Sequence, residues 1–460
     1  MAENIAAKLD TVPHRIADPG RIPAERYYDP AFFALEKQKF WPHVWQMACR
    51  LEEIPRIGDY TVYTILDRSV ILIRTKDGVK AFKNACRHRG LRLAHAPGNC
   101  AKEGFTCPFH GWQWNAEGEN TFVFARHFFD EKVLDRAEID LVAVRIDFWA
   151  GCAFINFDDD APGLRTSLGP VAGRMDARHA DKLKMDWWCG TVLPTNWKLA
   201  MEAFQEGFHT PKTHPQLQAA AVNGHTQFGT DAQGTLINAG LDARETVNQH
   251  VDYLAKLSEG MDGMFHKSEV AVVEKLRTME VPEDADAAGM AFYGKAYDEV
   301  EKDARARGAE IFDFAKVAQE HPFHAVEFMF PHFFLLPMMG AMSSYRIRPL
   351  TEETCFFEIW SLVIRPDSEP YETPLEPTII PYNSDKFPEI PRQDYSNLPI
   401  QQLGLHDLQF MRLASKHEGM ISNYQRLVDG YLAGLDPRLL AKASQVVNSG
   451  FAAPILDIGF

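Results

Sequence analysis

Cys86-Arg-His88-Arg-Gly90-Leu91 and Cys107-Pro-Phe-His110-Gly111-Trp112 are the two segments whose reading decides the fold. Each offers one thiolate and one imidazole, and eighteen residues separate His88 from Cys107. Two cysteines and two histidines can close a tetrahedral zinc site. They can equally hold a [2Fe–2S] cluster, with both thiolates on one iron and both imidazoles on the other. Zinc fingers usually group the cysteines in one half and the histidines in the other. Here each half is mixed, which favours two loops that each give one ligand to either iron. Gly90 and Gly111 follow the two halves, where backbone is expected to approach the metal group closely.

Outward from these loops the texture is β. Tyr60–Leu66 and Ser69–Arg74 are β-branched runs joined at Asp67-Arg68, and Asp77-Gly78 turns the chain into Val79–Phe82. Strand-like segments continue to Trp149–Phe157, and Asp158-Asp-Asp-Ala-Pro162 reads as a boundary. The expected organisation is a lead-in over 1–40 that packs on the second domain, a small antiparallel β domain over 41–160, and a larger domain over 161–460. Within the last, 165–225 read as helical and 240–320 as a helical excursion. Strands return over 323–365. Eight prolines from Pro366 to Pro399 suggest a stiff, extended connection. A long helix is expected from about Gln402 to Leu432. The fold class is therefore α+β.

At 460 residues the chain has length for two or three domains. Its 48 basic and 63 acidic residues give a net charge of −15, which argues against nucleic acid as a partner. The start carries no basic segment followed by an apolar run, and the most apolar stretch, Phe328–Met342, is broken by prolines and too short to span a bilayer. A soluble cytoplasmic protein is expected. Seven scattered cysteines fit reduced thiols better than a disulfide framework.

A second constellation lies in Asn196-Trp-Lys-Leu-Ala-Met-Glu202-Ala-Phe-Gln-Glu206-Gly-Phe-His209-Thr-Pro211-Lys-Thr-His214. On one straight helix His209 and His214 would point about 140° apart. Pro211 is expected to end a helix near His209 and let His214 turn back toward it. Two histidines and a carboxylate from elsewhere form the facial triad of non-haem Fe(II) sites, which leaves positions open for O2. A histidine pair alone is more often core or surface than ligand.

Cys-x-His followed by Cys-Pro-x-His-Gly-Trp resembles the Rieske signature of the aromatic-ring-hydroxylating oxygenases, and Asn196–His214 resembles the N-W-K-L-x-x-E-N-x-x-D-x-Y-H-x4-H tract of their large (α) subunits. The resemblance spans nearly the whole chain. Leu91 and Phe109 stand where respiratory Rieske proteins carry further cysteines. Ala203, Glu206 and Phe208 replace the more usual Asn, Asp and Tyr.

What the resemblance implies is specific. Cys86, His88, Cys107 and His110 would hold a Rieske [2Fe–2S] cluster, and His209, His214 and Asp407 a mononuclear Fe(II). Asp407, in Leu405–Ser415, falls at the matching position, although a helix-first-turn aspartate is also ordinary there. Glu206 would hydrogen-bond an imidazole and bridge the iron site to a neighbouring subunit's cluster. The catalytic domain would be a helix-grip antiparallel sheet. Electrons would come from NAD(P)H through a reductase, with or without a ferredoxin, and Arg87, Arg89, Arg92 and Lys102 could form a basic docking patch. The assembly would be an α3 ring, with or without a β subunit. Met201, Phe204, Phe208, Leu217 and Phe328–Met342 could wall a pocket for an aromatic or other hydrophobic substrate. Dihydroxylation, monohydroxylation and demethylation all use the same ligands. An electron-transfer protein carrying only a Rieske domain is the simpler rival.

Overall fold

A computed structural model describes residues 2–219, 240–261, 263–322, 324–366 and 368–460. The chain divides into two compact units, Trp41–Leu164 and a larger one built from Met1–Phe40 with Arg165–Phe460.

The smaller unit is made of antiparallel sheets. Along Asp59–Ile65 buried and half-buried residues alternate without a break, the period of two that a one-faced strand requires. It pairs with Arg68–Thr75, which pairs in turn with Gly78–Lys83. Phe105–Thr106, Gln113–Trp114 and Asn120–Phe122 form a separate three-stranded sheet. Ile71, Ile73, Phe82, Phe105 and Trp114 form one apolar core that also takes in Cys86, Cys107 and Trp112. Both ligand loops are thus rooted in the same packed interior.

The larger unit is organised on a six-stranded sheet. Its spatial order is Glu327–Met329, Phe333–Pro337, Ala341–Thr351, Thr354–Val363, Lys184–Leu193 and Thr378–Ile379. All neighbours are antiparallel except the last pair, which is parallel. Helices over Ala243–Met261, Lys267–Val273, Ala285–Ala306 and Phe314–Glu320 occupy the expected excursion. No helix among the described residues is long and apolar enough to cross a membrane.

Three expectations change. Lys184–Leu193 is a strand, fifth of the six, inside the stretch read as helical, and its β-prone Trp187, Trp188, Thr191 and Val192 account for this. Residues 220–225 of that stretch lie outside the described residues. The proline-rich connection gives way to a helix at Glu389 that runs to Leu405. The long late helix is instead broken, with a short strand at Phe410–Arg412 and a second helix at Gly419–Leu432.

The sheet carries a buried ionic cluster. Arg346 lies opposite Glu358 in the register and holds it through two parallel bonds of 2.8 Å, while Arg348 adds a third at 3.1 Å. Burial opposes ionisation of Glu358, but the two guanidinium groups outweigh it and hold its pKa below the ordinary value. Glu358→Ala leaves Arg346 buried beside a lost counter-charge. Denaturant unfolding should show a loss of roughly 3–5 kcal/mol, the usual cost of breaking such a pair on one side.

Candidate metal centres

The two cysteine–histidine loops have the same backbone design. Cys86 N–H donates to Leu91 O and Gly90 N–H to Cys86 O, each at 2.8 Å. Cys107 N–H donates to Trp112 O at 2.8 Å and Gly111 N–H to Cys107 O at 2.9 Å. Gly90 and Gly111 have φ of +79° and +71°, and a Cβ on either would meet no protein atom within 4 Å. The left-handed conformation, rather than crowding by the protein, therefore requires these glycines. Asn84 fastens the first loop: its Oδ1 accepts from Leu93 and Ala94 N–H, and its Nδ2 donates to Ala94 O and Ser69 Oγ.

The side chains fall into two pairs. The thiols of Cys86 and Cys107 are within hydrogen-bonding reach of each other, and the His88 and His110 rings lie 4.5 Å apart. His88 stacks on Trp112 at 5.1 Å, and its Nδ1 is buried without a partner among the described residues. A buried, unbonded ring nitrogen is costly unless a ligand takes it. Among the described residues these four do not gather within 4.8 Å as donors to a single ion would. A thiol pair apart from an imidazole pair fits a two-iron cluster and does not fit one tetrahedral zinc. Burial pushes the Cys86 thiol up and the His88 imidazolium down. Around these loops Arg89, Arg92 and Lys102 are exposed, whereas Arg87 is half-buried and donates to Glu138 O at 2.8 Å.

The second centre is built from three elements. Helix Trp197–Glu202 is capped by Asn196, whose side chain accepts from Lys198 N–H. It ends at Glu202, well before Pro211. Pro211 opens a second, one-turn helix, Thr210–Thr213, because proline needs no N–H partner in a first turn. His209 and His214 stand at the two ends of that turn, which is how a five-residue spacing converges.

The carboxylate that meets them is Asp394. One oxygen lies 3.6 Å from His209 Nε2 and 3.3 Å from His214 Nε2, and these ligand atoms all lie within 4.8 Å of one another. Ligands bonded at about 2.1 Å and set at right angles are about 3 Å apart, so the spacing suits three facial positions on one metal. Asp407 does not join this group. It is exposed in the turn after the helix that carries Asp394, its N–H bonded to Gly404 O. The neighbouring His406 is exposed too and reaches Glu353 at 2.9 Å.

The far side of each imidazole is also held. His209 Nδ1 bonds Glu206 Oε1 at 2.6 Å, and His214 Nδ1 bonds Gln393 Oε1 at 2.7 Å. Both contacts fix Nδ1–H as donor and leave Nε2 free to bind metal. Burial alone lowers the His209 pKa, but the bond and charge of Glu206, with Asp394, raise it overall. Glu206 spends its other oxygen on the N–H groups of Phe208 and His209. Gln393 is itself braced by reciprocal 3.0 Å bonds with Gln216. Sequence reasoning missed Gln393 and Asp394 together. Gln393→Leu should keep the fold and weaken metal binding at this centre by roughly 10–100-fold in a competition titration.

A cavity of about 360 Å³ adjoins the centre, walled by Glu202, Glu206, His209, Asp394, Glu418 and apolar side chains that include Leu398 and Ile421. Among the described residues, none of the expected wall residues lines this cavity. Phe204 is buried against Phe334, Tyr345 and Phe357, and Met201 is fully buried, but Phe208 is 56% exposed.

Two family models match: the Rieske [2Fe-2S] domain over residues 44–123 and the ring-hydroxylating α-subunit catalytic domain over residues 173–434. The chain belongs to the ring-hydroxylating α-subunit family. Relatives include the α subunit of 2-aminobenzenesulfonate 2,3-dioxygenase from Alcaligenes sp., 30% identical over 43% of this chain and 50% of the relative. The carnitine monooxygenase oxygenase subunit of Escherichia coli K12 is 31% identical over 42% and 52% respectively. These matches span about half the length of each relative. Among solved structures, a mutant naphthalene 1,2-dioxygenase with phenanthrene bound aligns with a TM-score of 0.62 at 18% identity, covering 93% of this chain and 96% of that one. A quaternary ammonium Rieske monooxygenase aligns at 0.58 and 19%, covering 90% and 97%. The α-subunit fold is thus shared across enzymes of different substrate class.

Proposed function

We propose that this α subunit is the terminal oxygenase of a Rieske system that hydroxylates an aromatic or other hydrophobic small molecule. The observation that carries the reading is the convergence of His209, His214 and Asp394 beside a cavity, in a chain that also bears the paired cysteine–histidine loops. Cys86, His88, Cys107 and His110 would hold the cluster, and His209, His214 and Asp394 the mononuclear iron. The cluster supplies single electrons, and the iron activates dioxygen when bound. The chain's own groups orient the site: Glu206 and Gln393 hold the two imidazoles in one tautomer, and apolar side chains such as Leu398 and Ile421 line part of the cavity.

Glu206 also occupies the bridging position in the family tract. We assign it the link to a cluster in an adjoining subunit of an α3 assembly, with or without β subunits. A structure of the quaternary ammonium monooxygenase is described as revealing inter-subunit electron transfer, which supports that assignment. A reductase drawing on NAD(P)H, directly or through a ferredoxin, would supply the electrons.

Tyr395 follows Asp394 in the chain and packs on Phe357 at 4.8 Å, with Tyr345 and Phe204 next in the same cluster. These aromatic side chains are core and do not line the cavity; its apolar lining, which includes Leu199, Leu398, Met411 and Ile421, is what supports a hydrophobic substrate. A second reading, a monooxygenase or demethylase acting on a quaternary ammonium compound, is favoured by the carnitine and glycine betaine relatives. The test is substrate-dependent oxygen uptake with a generic reductase, screened over aromatic compounds and over betaines, with product analysis. A cis-diol or phenol supports the first reading and a demethylated amine the second. Iron-replete enzyme that consumes oxygen with neither class would refute both.

A further inference from the structure

Glu202 closes one side of the catalytic cavity and, among the described residues, is a buried acid with no cationic partner of its own and no place in the group of His209, His214 and Asp394. The charges packed around it are already matched. Arg26 pairs with Asp429 at 2.5 Å, and Lys198 with Glu36 at 2.7 Å. Glu202 instead accepts from two neutral groups, Tyr27 OH at 2.9 Å and Gln425 Nε2 at 2.5 Å. Gln425 cannot turn its oxygen toward Glu202, because that oxygen accepts from Arg26 Nε at 3.0 Å. The residue is 4% exposed, yet it belongs to the wall that also contains His209 and Asp394. A buried carboxylate without a counter-ion favours its protonated form.

We propose that Glu202 is the proton-holding group of the catalytic centre, taking a proton from water entering the cavity and releasing it there when dioxygen is reduced. The proposal rests on the oxygenase reading above. In the two reaction classes considered there, a substrate takes up O2, two electrons and two protons, giving either a cis-diol or a hydroxylated product plus water. The electrons come from the donor protein. Glu202 supplies one proton by breaking its own O–H bond and solvent water supplies the other, and the resulting carboxylate is reprotonated from solvent before the next turnover.

Burial pushes the Glu202 carboxyl up to about 7, against the bonds from Gln425 and Tyr27 and the charges of Lys198 and Arg26. The groups facing it are Tyr27 and Arg26 from one side, Lys198 from its own helix, and Tyr424 and Gln425 from the late helix. The same cavity is also lined by Glu206, Asp394, Arg412 and Glu418. Near neutrality such a carboxyl both holds and releases a proton, as a group serving repeated transfers must.

Infrared difference spectra of the full chain, wild type minus Glu202→Gln, test this without relying on turnover. A protonated-carboxyl band that disappears around neutral pH and shifts in D2O is expected. Tyr27→Phe removes a donor to the ionised form and should move that midpoint upward, which keeps the test open if Glu202→Gln folds poorly. In iron-loaded enzyme, Glu202→Gln should keep its metal content and slow turnover by roughly 10²-fold or more, with an altered solvent isotope effect. Absence of a titrating band assigned to Glu202, or an unchanged turnover rate and isotope effect, would overturn the proposal. Failure of the oxygenase reading itself would show differently, as a chain that binds no iron while the carboxyl still titrates.

Discussion

Asp394→Ala is expected to yield a folded, brown protein that retains its Rieske chromophore, holds no mononuclear iron and does not turn over. Asp394 is the charged member of the group formed with His209 and His214, and it is 7% exposed. Without it, two neutral imidazoles face a divalent ion with no negative charge to offset it. The cost should far exceed the roughly 10–100-fold that losing an orienting partner such as Gln393 brings. Asp407→Ala is the control, because Asp407 is solvent-exposed and outside the group. It should leave iron content and turnover unchanged. Metal analysis with visible spectra of both variants decides the matter, and a catalytically competent Asp394→Ala would remove that residue from the centre.

Cys107→Ser should have an effect as large at the other centre. The Cys107 thiol is buried beside that of Cys86, in a loop whose backbone bonds do not depend on the side chain. Serine fits the space but is not deprotonated near neutral pH, so one iron loses an anionic ligand. The expected protein is colourless, lacks acid-labile sulfide, and still binds mononuclear iron at His209, His214 and Asp394. Turnover with the reductase should be abolished, because electrons then have no carrier. A variant that stays brown would mean that Cys107 is not a ligand.

The β meander, the paired loops and the α+β class were legible because each has a local signature. Asp59–Ile65 alternates, and the cysteines and histidines recur at fixed spacing. The converging histidines were legible as well, although Pro211 acts by opening a helical turn rather than by ending one. The carboxylate was not, because prolines were read as chain-stiffening residues. Pro388 sits at the helix N-cap and Pro391 in the first turn, where the N–H is unneeded, and Pro399 is carried in the interior. The helical signal was present: Ile390, Asp394, Leu398 and Gln402 recur every four residues, and all are buried. A buried aspartate on such a stripe was a stronger candidate than an exposed one after it. Gln393 and Glu202 had no comparable signal, since their roles depend on partners distant in sequence.

Gln393 and Asp394 are consecutive, and this has a consequence for redesign. One peptide unit supplies both the anion of the triad and the brace on His214, while Gln216 steadies that brace independently. Shortening Asp394 to glycine would therefore create a vacancy without unseating the imidazole. The cavity could then receive small external anions such as formate or halide, turning a fixed carboxylate into an exchangeable one.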